Sequence, residues 1–246
     1  MDKVALGSIT AKNGFLNEES VVLRFNNWQS DTIAQNWLVK MGYDLKKIEK
    51  VDAFKVKGSY KADVQVQVLV KLKNITDNQN LSIKLVSNLS GFNQIDKRYV
   101  DKYKEMWLFN EDLANILKQY SGELKPNKKT KDNRRMFFNE MSLDQQNMVI
   151  NFFSNNKFLV ASEILKGKGL FCVDWFLVVY AKDNNLWALE NINYVINYFL
   201  QGNVEITKSG NLKIGKITMQ RKGGDGGRKT ANMLQFKINP ALLIKK

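Results

Sequence analysis

Two short strings carry the residue types that hydrolyse a phosphodiester. Tyr60-Lys61-Ala62-Asp63 opens an alternating apolar run (Val64, Val66, Val68, Val70), and after eighteen intervening residues comes Ser82-Ile83-Lys84, set within Leu81, Ile83 and Leu85. Alternation with period two reads as a half-buried strand. If the two runs pair as a hairpin, Asp63 and Lys84 can face each other on one sheet surface. A carboxylate for a metal ion beside a lysine for a phosphate oxygen is the minimal equipment for this chemistry. The Ile83 carbonyl can complete a metal shell. The Ser82 hydroxyl is a weak ligand, suited to acting through water. Glu18 is the candidate third acid. Each residue also has a plainer reading. Asp63 can be a turn acid opening a strand, Lys84 a charge guarding a strand edge, and Glu18 an acid stabilised by a helix dipole.

Composition narrows the chemistry. The chain of 246 residues has no histidine and one cysteine. That excludes Ser-His-Asp catalysis, histidine-dependent nuclease sites, internal disulfides and cysteine zinc sites. Hydrolysis must then use carboxylates, lysine and a hard cation such as Mg²⁺. Cys172, in Leu170-Phe171-Cys172-Val173, reads as a buried thiol. The formal charge is +14, and the excess is clustered. Lys125 to Arg135 holds six basic residues against Asp132, and Lys208 to Lys246 holds ten against Asp225. Two such blocks favour a nucleic acid over a membrane surface. No stretch approaches a membrane span of about 20 apolar residues, and Met1 to Leu6 lacks the long apolar region of a signal peptide. A cytoplasmic protein is expected.

These residues need elements to position them. Asn17-Glu18-Glu19 reads as a capped helix start, with Val21, Phe25 and Trp28 on its core face. A second helix is expected over Asp31 to Met41, with Ile33, Trp37 and Met41 on one side. Residues 52–58, 63–72 and 80–88 read as strands, and Asn74 to Asn80 as polar turn material. Helices are expected over Asp96 to Phe109 and Glu111 to Tyr120, followed by a loop over Ser121 to Arg135. Ser142-Leu143-Asp144-Gln145 has capping-box spacing, opening a helix to about Phe153. Lys157 to Leu165 is helical or mixed, Val173 to Ala181 a buried strand, Asn191 to Leu200 a short helix, and strands and turns follow Val204. The expectation is a single α/β (α+β) domain whose mixed central sheet is flanked by helices. Its catalytic core spans about 1–120, and its helical and β-rich recognition part about 136–246.

Three further strings suit contact with duplex DNA. In Gly91-Phe92-Asn93-Gln94, Phe92 can fold into the core or wedge between base steps. Asn93 and Gln94 carry the donor–acceptor pairs that read base edges, and Lys97 can reach a guanine or a phosphate. Gln220-Arg221-Lys222-Gly223-Gly224-Asp225-Gly226-Gly227-Arg228-Lys229 is either a loose surface loop or a basic loop allowed close approach by its glycines. It is not a nucleotide P-loop. Ala231 to Lys237 alternates, with Gln235 and Lys237 on one face.

The strings Lys84-Leu85-Val86-Ser87-Asn88, Gly91 to Lys97, Gln220 to Asp225 and Thr230 to Lys237 closely resemble those of the HinP-type type II restriction endonucleases. The resemblance covers nearly the whole chain, and its end, Met233 to Lys237, more distantly resembles MspI-type enzymes. It implies a PD-(D/E)xK-like core and Mg²⁺-dependent cleavage of double-stranded DNA at GCGC, cut after the first G to leave two-base 5′ overhangs. Asp63 would be the metal-binding acid, Lys84 the catalytic lysine and Phe92 the intercalating wedge. The groove-facing readers would be Asn93, Gln94 and Lys97, with Gln220, Arg221, Lys222, Asp225, Arg228, Gln235 and Lys237. Ala62 and Ser82 depart from the family, which has Ser and Gln there, and leave a lighter metal shell.

Other readings are a sequence-specific DNA-binding protein without catalysis, separated by Mg²⁺-dependent strand scission, and an RNA-binding or RNA-processing protein. A cognate methyltransferase is expected as a functional partner in the cell. A palindromic target is compatible with a monomer or a homodimer.

Overall fold

The computed structural model describes residues 16–58, 60–70, 75–224 and 228–244. Among the described residues ten strands form two five-stranded sheets. The first takes β1 (Ile48–Lys55), β2 (Val64–Val70), β3 (Ile75–Val86), β5 (Trp175–Tyr180) and β6 (Asp183–Asn191), in that spatial order. Neighbours are antiparallel except β3 and β5, which run parallel. The second sheet has the order β4 (Asn93–Arg98), β10 (Leu234–Ile238), β9 (Ile217–Arg221), β8 (Leu212–Ile214) and β7 (Val204–Ile206), all antiparallel. Each sheet draws strands from both halves of the chain. The mixed α/β architecture expected from the sequence is the one observed.

The two faces of the first sheet explain its sequence. One face packs on α1 (residues 16–26) and α2 (Thr32–Lys40), with Val64, Val66, Val68, Leu81 and Ile83 meeting Val21, Phe25, Trp37 and Leu38. The other packs on a larger core shared with the second sheet and with α3 (Val100–Trp107), α4 (Glu111–Ser121), α5 (Leu143–Asn155), α6 (Lys157–Leu165) and α7 (Ile192–Phe199). In β5, Leu177 and Val179 join the first core while Phe176 and Val178 join the second. A strand buried on both faces has no polar alternate, which is why 173–181 reads as nearly unbroken apolar sequence.

Several boundaries differ from expectation. Leu16 is already helical, so Asn17 lies inside α1 and does not cap it. Asp31 caps α2 through Ile33 N–H and Ala34 N–H, and the buried face is Ala34, Trp37 and Leu38. The first strand begins at Ile48 and ends at Lys55. Residues 75–80 are strand, not turn; Asn74 lies outside the described residues. Their polar side chains find cross-strand and neighbouring partners: Tyr43 O–H donates to Asp77 at 2.5 Å, Trp175 Nε1–H to Gln79 at 2.6 Å and Gln65 to Asn80 at 2.9 Å. Pairing with β2 thus overrides local turn preference. Asp96 to Arg98 belong to β4, and the helix begins only at Val100. Partners far along the chain accommodate Asp96 inside the fold (below), and periodicity cannot register them. The Ser142 capping box and the helix behind it form as expected, and 157–165 is helical throughout. Among the described residues no helix is long and apolar enough to cross a membrane.

Candidate active site and DNA-facing surface

Strand geometry places the charged residues. With Val64 opposite Leu81, Asp63 stands opposite Ser82. Because Val64, Leu81 and Ile83 point to the α1–α2 core, Asp63, Ser82 and Lys84 point to the other face. There they interlock. Asp63 Oδ2 accepts from the Ile83 N–H at 2.6 Å and from Ser82 Oγ–H at 3.1 Å. Lys84 Nζ donates to Ser82 Oγ at 3.0 Å and to the Ile83 carbonyl at 3.1 Å, and lies 3.4 Å from Asp63 Oδ2. The Asp63 backbone is pinned on both sides, its N–H to Leu81 O at 2.7 Å and its carbonyl by Val56 N–H at 3.1 Å. The expected hairpin and the facing pair are both present.

Glu18 approaches from α1 and is ion-paired with Lys55 at 3.1 Å. Burial pushes its carboxyl above the ordinary range; the Lys55 hydrogen bond opposes this, and the nearby Asp63 charge adds to it. Among the described residues no group of three His, Cys, Asp or Glu side chains is arranged to hold a metal ion. The donors present are nonetheless all oxygens: the Asp63 carboxylate, the Ile83 carbonyl and the Ser82 hydroxyl, with Glu18 nearby. They suit a hard cation that keeps several waters. The Lys84 ammonium already rests against the first three, so a positive charge is accommodated among them.

A cavity of about 370 Å³ opens in front of this cluster, lined by Asp63, Ser82, Lys84 and Phe176 on one side and by Gln94, Lys97 and Arg98 of β4 on the other. The hairpin that carries Asp63 and Lys84 and the second sheet thus face one space. In the second sheet, Leu234, Phe236 and Ile238 point to the core, leaving Gln235 and Lys237 on the opposite face. Gln235 lies opposite Lys97 and Gln220, and Lys237 opposite Gln94 and Thr218. A bulge between Phe236 and Lys237 skips Ile95, so Gln94 and Lys97 both emerge on that face, where both are exposed. A bulge re-aims side chains in this way.

The remaining sequence-predicted residues are placed differently. Phe92 is 56% exposed at the tip before β4. Asn93 turns inward, its amide donating to Leu85 O at 3.2 Å. Arg221 is engaged within the fold: Nε donates to Ser121 O at 2.9 Å and Nη2 to Asn232 Oδ1 at 2.7 Å. Burial, then Arg134 and Arg135, draws its pKa down. Gln235 is buried and donates to the carbonyls of Arg221 and Lys222 at 3.3 and 3.4 Å. Lys237 is half-buried, and burial lowers its pKa. Arg228 is exposed. Asp225, with Gly226 and Gly227, lies outside the described residues. Cys172 is only partly buried, and its thiol donates to Gly169 O at 2.9 Å.

Sequence reasoning did not single out Lys61, Asp96, Arg98 or Tyr103. Lys61 donates to the Asp96 carboxylate, to Ile95 O at 3.0 Å and to Ile164 O at 2.9 Å. Asp96 also accepts from Tyr103 O–H at 2.6 Å and from Arg98 Nε at 3.1 Å. Burial alone would raise the Asp96 pKa, but these partners, led by Lys61, hold it below the usual range. Their only local signal was an acid beside Ile95 and a base beside the buried Ala62.

A protein-family model described as the R.HinP1I restriction endonuclease matches residues 41–244. A crystal structure of restriction endonuclease MspI in complex with its cognate DNA superposes with a TM-score of 0.67 over 96% of this chain and 93% of that one, at 14% identity. At that identity the likeness is one of fold. A search of curated protein sequences gave no match.

Proposed function

The chain belongs to the R.HinP1I restriction endonuclease family, a type II restriction endonuclease of the PD-(D/E)xK superfamily acting on a short GC-rich DNA sequence, and from that premise we propose how its own residues act. The target is GCGC in duplex DNA, cut after the first G, with Mg²⁺ as cofactor. The observation that carries the reading is the interlocked Asp63, Ser82, Ile83 and Lys84 cluster facing the cavity it shares with β4.

Asp63 and the Ile83 carbonyl would hold Mg²⁺, with Glu18 nearby and Ser82 acting through water. A bound Mg²⁺ supplies Lewis-acid charge to the scissile phosphate and acidifies a water molecule. Lys84 places its ammonium against the phosphate oxygen on which negative charge grows. Ser82 keeps that ammonium from drifting, since its hydroxyl accepts from Lys84 and donates to Asp63. The outward face of β4, β10 and β9, with Gln94, Lys97, Gln220 and Lys237, meets the groove, and the exposed Phe92 enters the base stack. Arg221 supports the reading loop from behind. The basic excess supplies sequence-independent attraction to phosphates, and a cognate methyltransferase protects host sites.

The test is incubation with plasmid DNA, with and without Mg²⁺, followed by sequencing of fragment ends. The expected result is Mg²⁺-dependent cutting with 5′-CG overhangs at GCGC. Discrete ends elsewhere would reject the target and keep the nuclease. The light metal shell favours one second reading, a catalytically weakened binder, which predicts specific binding without scission.

A further inference from the structure

Lys61 stands two residues before Asp63, yet none of its hydrogen bonds goes to the catalytic cluster. Its ammonium has three protons, and they meet three acceptors: the Asp96 carboxylate and the Ile95 carbonyl on β4, and the Ile164 carbonyl on α6. Ile95 is the residue that the β4–β10 register skips, so Lys61 meets β4 at the bulge beside Gln94 and Lys97, whose outward direction is set by the pairing with β10. Its side chain is 18% exposed and that of Asp96 4%. The stem is held as tightly as the tip. Gly167 has φ +83°, and a Cβ there would come within 2.5 Å of Lys61 Cγ. Tyr60 packs edge-on against Phe171 with ring centroids 5.0 Å apart.

We propose that Lys61 is a positioning residue that ties the DNA-facing strand β4 to the catalytic acid Asp63, so that contact with the correct bases sets the acid for cleavage. The inference rests on the reading of β4 as a recognition strand. With all three protons engaged, Lys61 has none left for a phosphate, although it lines the cavity. Its work is geometric. A shift of β4 on the DNA draws on Ile95 and Asp96, and through Lys61 on the short segment that ends at Asp63. Asp96 is held in turn by Tyr103 and Arg98, which keeps the strand end of the link rigid.

The test uses full-length Lys61→Met and Lys61→Arg proteins and the site defined by end sequencing. Binding is measured with Ca²⁺ replacing Mg²⁺, and cleavage under single-turnover conditions on the cognate site and on sites with one changed base pair. Lys61→Met is expected to bind the cognate duplex within about threefold of wild type, because phosphate and base contacts are intact. Its cleavage rate is expected to fall about a hundredfold, the size of effect that a small misplacement of a catalytic group produces. The cognate-to-mismatch cleavage ratio should shrink about tenfold. Lys61→Arg keeps the charge but cannot make the three-way contact, and should show the same split more weakly. Wild-type cleavage rates and mismatch ratios in both variants would overturn the proposal, and so would parallel loss of binding and cleavage. If Lys61→Met does not fold, Lys61→Arg decides; if neither folds, Lys61 only holds the fold and the proposal fails. A wild type that binds but does not cut would sink the nuclease reading instead, and ordinary cleavage by variants of Gln94 and Lys97 would sink the recognition role of β4.

Discussion

Lys84 Nζ lies 3.4 Å from Asp63 Oδ2, farther than the 3.0 and 3.1 Å that separate it from Ser82 Oγ and the Ile83 carbonyl. The ammonium therefore leans on the same oxygens that suit a metal ion. On the proposed reading, a cation held by these oxygens would displace the Lys84 ammonium and leave it for a phosphate oxygen.

Asp63→Asn keeps the shape of the cluster and removes its charge. Cleavage is expected to fall by about 10³-fold, in line with the loss of a key electrostatic group at a reacting centre. Specific binding should stay within about tenfold, since it rests on phosphate and base contacts. Gel-shift titration beside a cleavage time course checks both, and a cutting Asp63→Asn protein would remove Asp63 from the active site.

Ser82→Ala removes the hydroxyl between the two charges. Its two hydrogen bonds join charged partners, so a cost to folding of about 1–3 kcal/mol is expected. Cleavage should fall about tenfold as Lys84 loses its rest. Thermal melting and single-turnover rates separate the two effects; a rate equal to wild type would show that Ser82 only fills space.

Glu18 gives a pH signature. Burial, with the Asp63 charge adding to it, raises its carboxyl above the ordinary carboxylate range in the fold despite Lys55. The folded protein thus binds this proton more readily than the unfolded chain does. Stability from this group is full below the unfolded pKa and declines as pH rises through the raised folded value. Without metal, Glu18→Gln should flatten that decline in melting temperature. With Mg²⁺, cleavage by the wild type should drop as acid protonates Glu18, and Glu18→Gln should lose that acid limb at a lower overall rate. Identical pH profiles for the two proteins would remove Glu18 from the metal shell.

Phe92→Ala should leave the fold within about 0.5 kcal/mol, as expected for an exposed position. If the ring enters the base stack, cleavage should fall, and the fluorescence rise of 2-aminopurine placed at the site should disappear. An undiminished rise would mean that Phe92 does not distort the duplex.

The legible part of this molecule was local. Asp63 and Lys84 could be paired on paper because two-residue alternation in 64–70 and 81–85 fixes which side chains share a face. Residues 75–80 read as turn because Asp77, Asn78 and Asn80 carry turn preferences of their own, while the pairing that makes them strand comes from β2, and Tyr43 and Trp175 supply partners for Asp77 and Gln79. Lys61 and Asp96 are 35 residues apart, and only the meeting of the hairpin with β4 makes them a pair. The resemblance makes Arg221 a groove-facing reader; its bond to Ser121 spans 100 residues and has no local trace. The bulge at Ile95 depends on register with a strand that comes more than a hundred residues later.

That bulge also sets a ruler. In an unbroken strand, residues three apart point to opposite faces, and same-face spacing comes only in steps of two residues. The skipped Ile95 lets Gln94 and Lys97 share a face although three apart in sequence, because they stand opposite Lys237 and Gln235, which are two apart; the two side chains are thus spaced about 7 Å along the sheet. On the proposed reading that is about two steps of stacked base pairs at about 3.4 Å each, a spacing that an unbroken strand would give only to residues two apart.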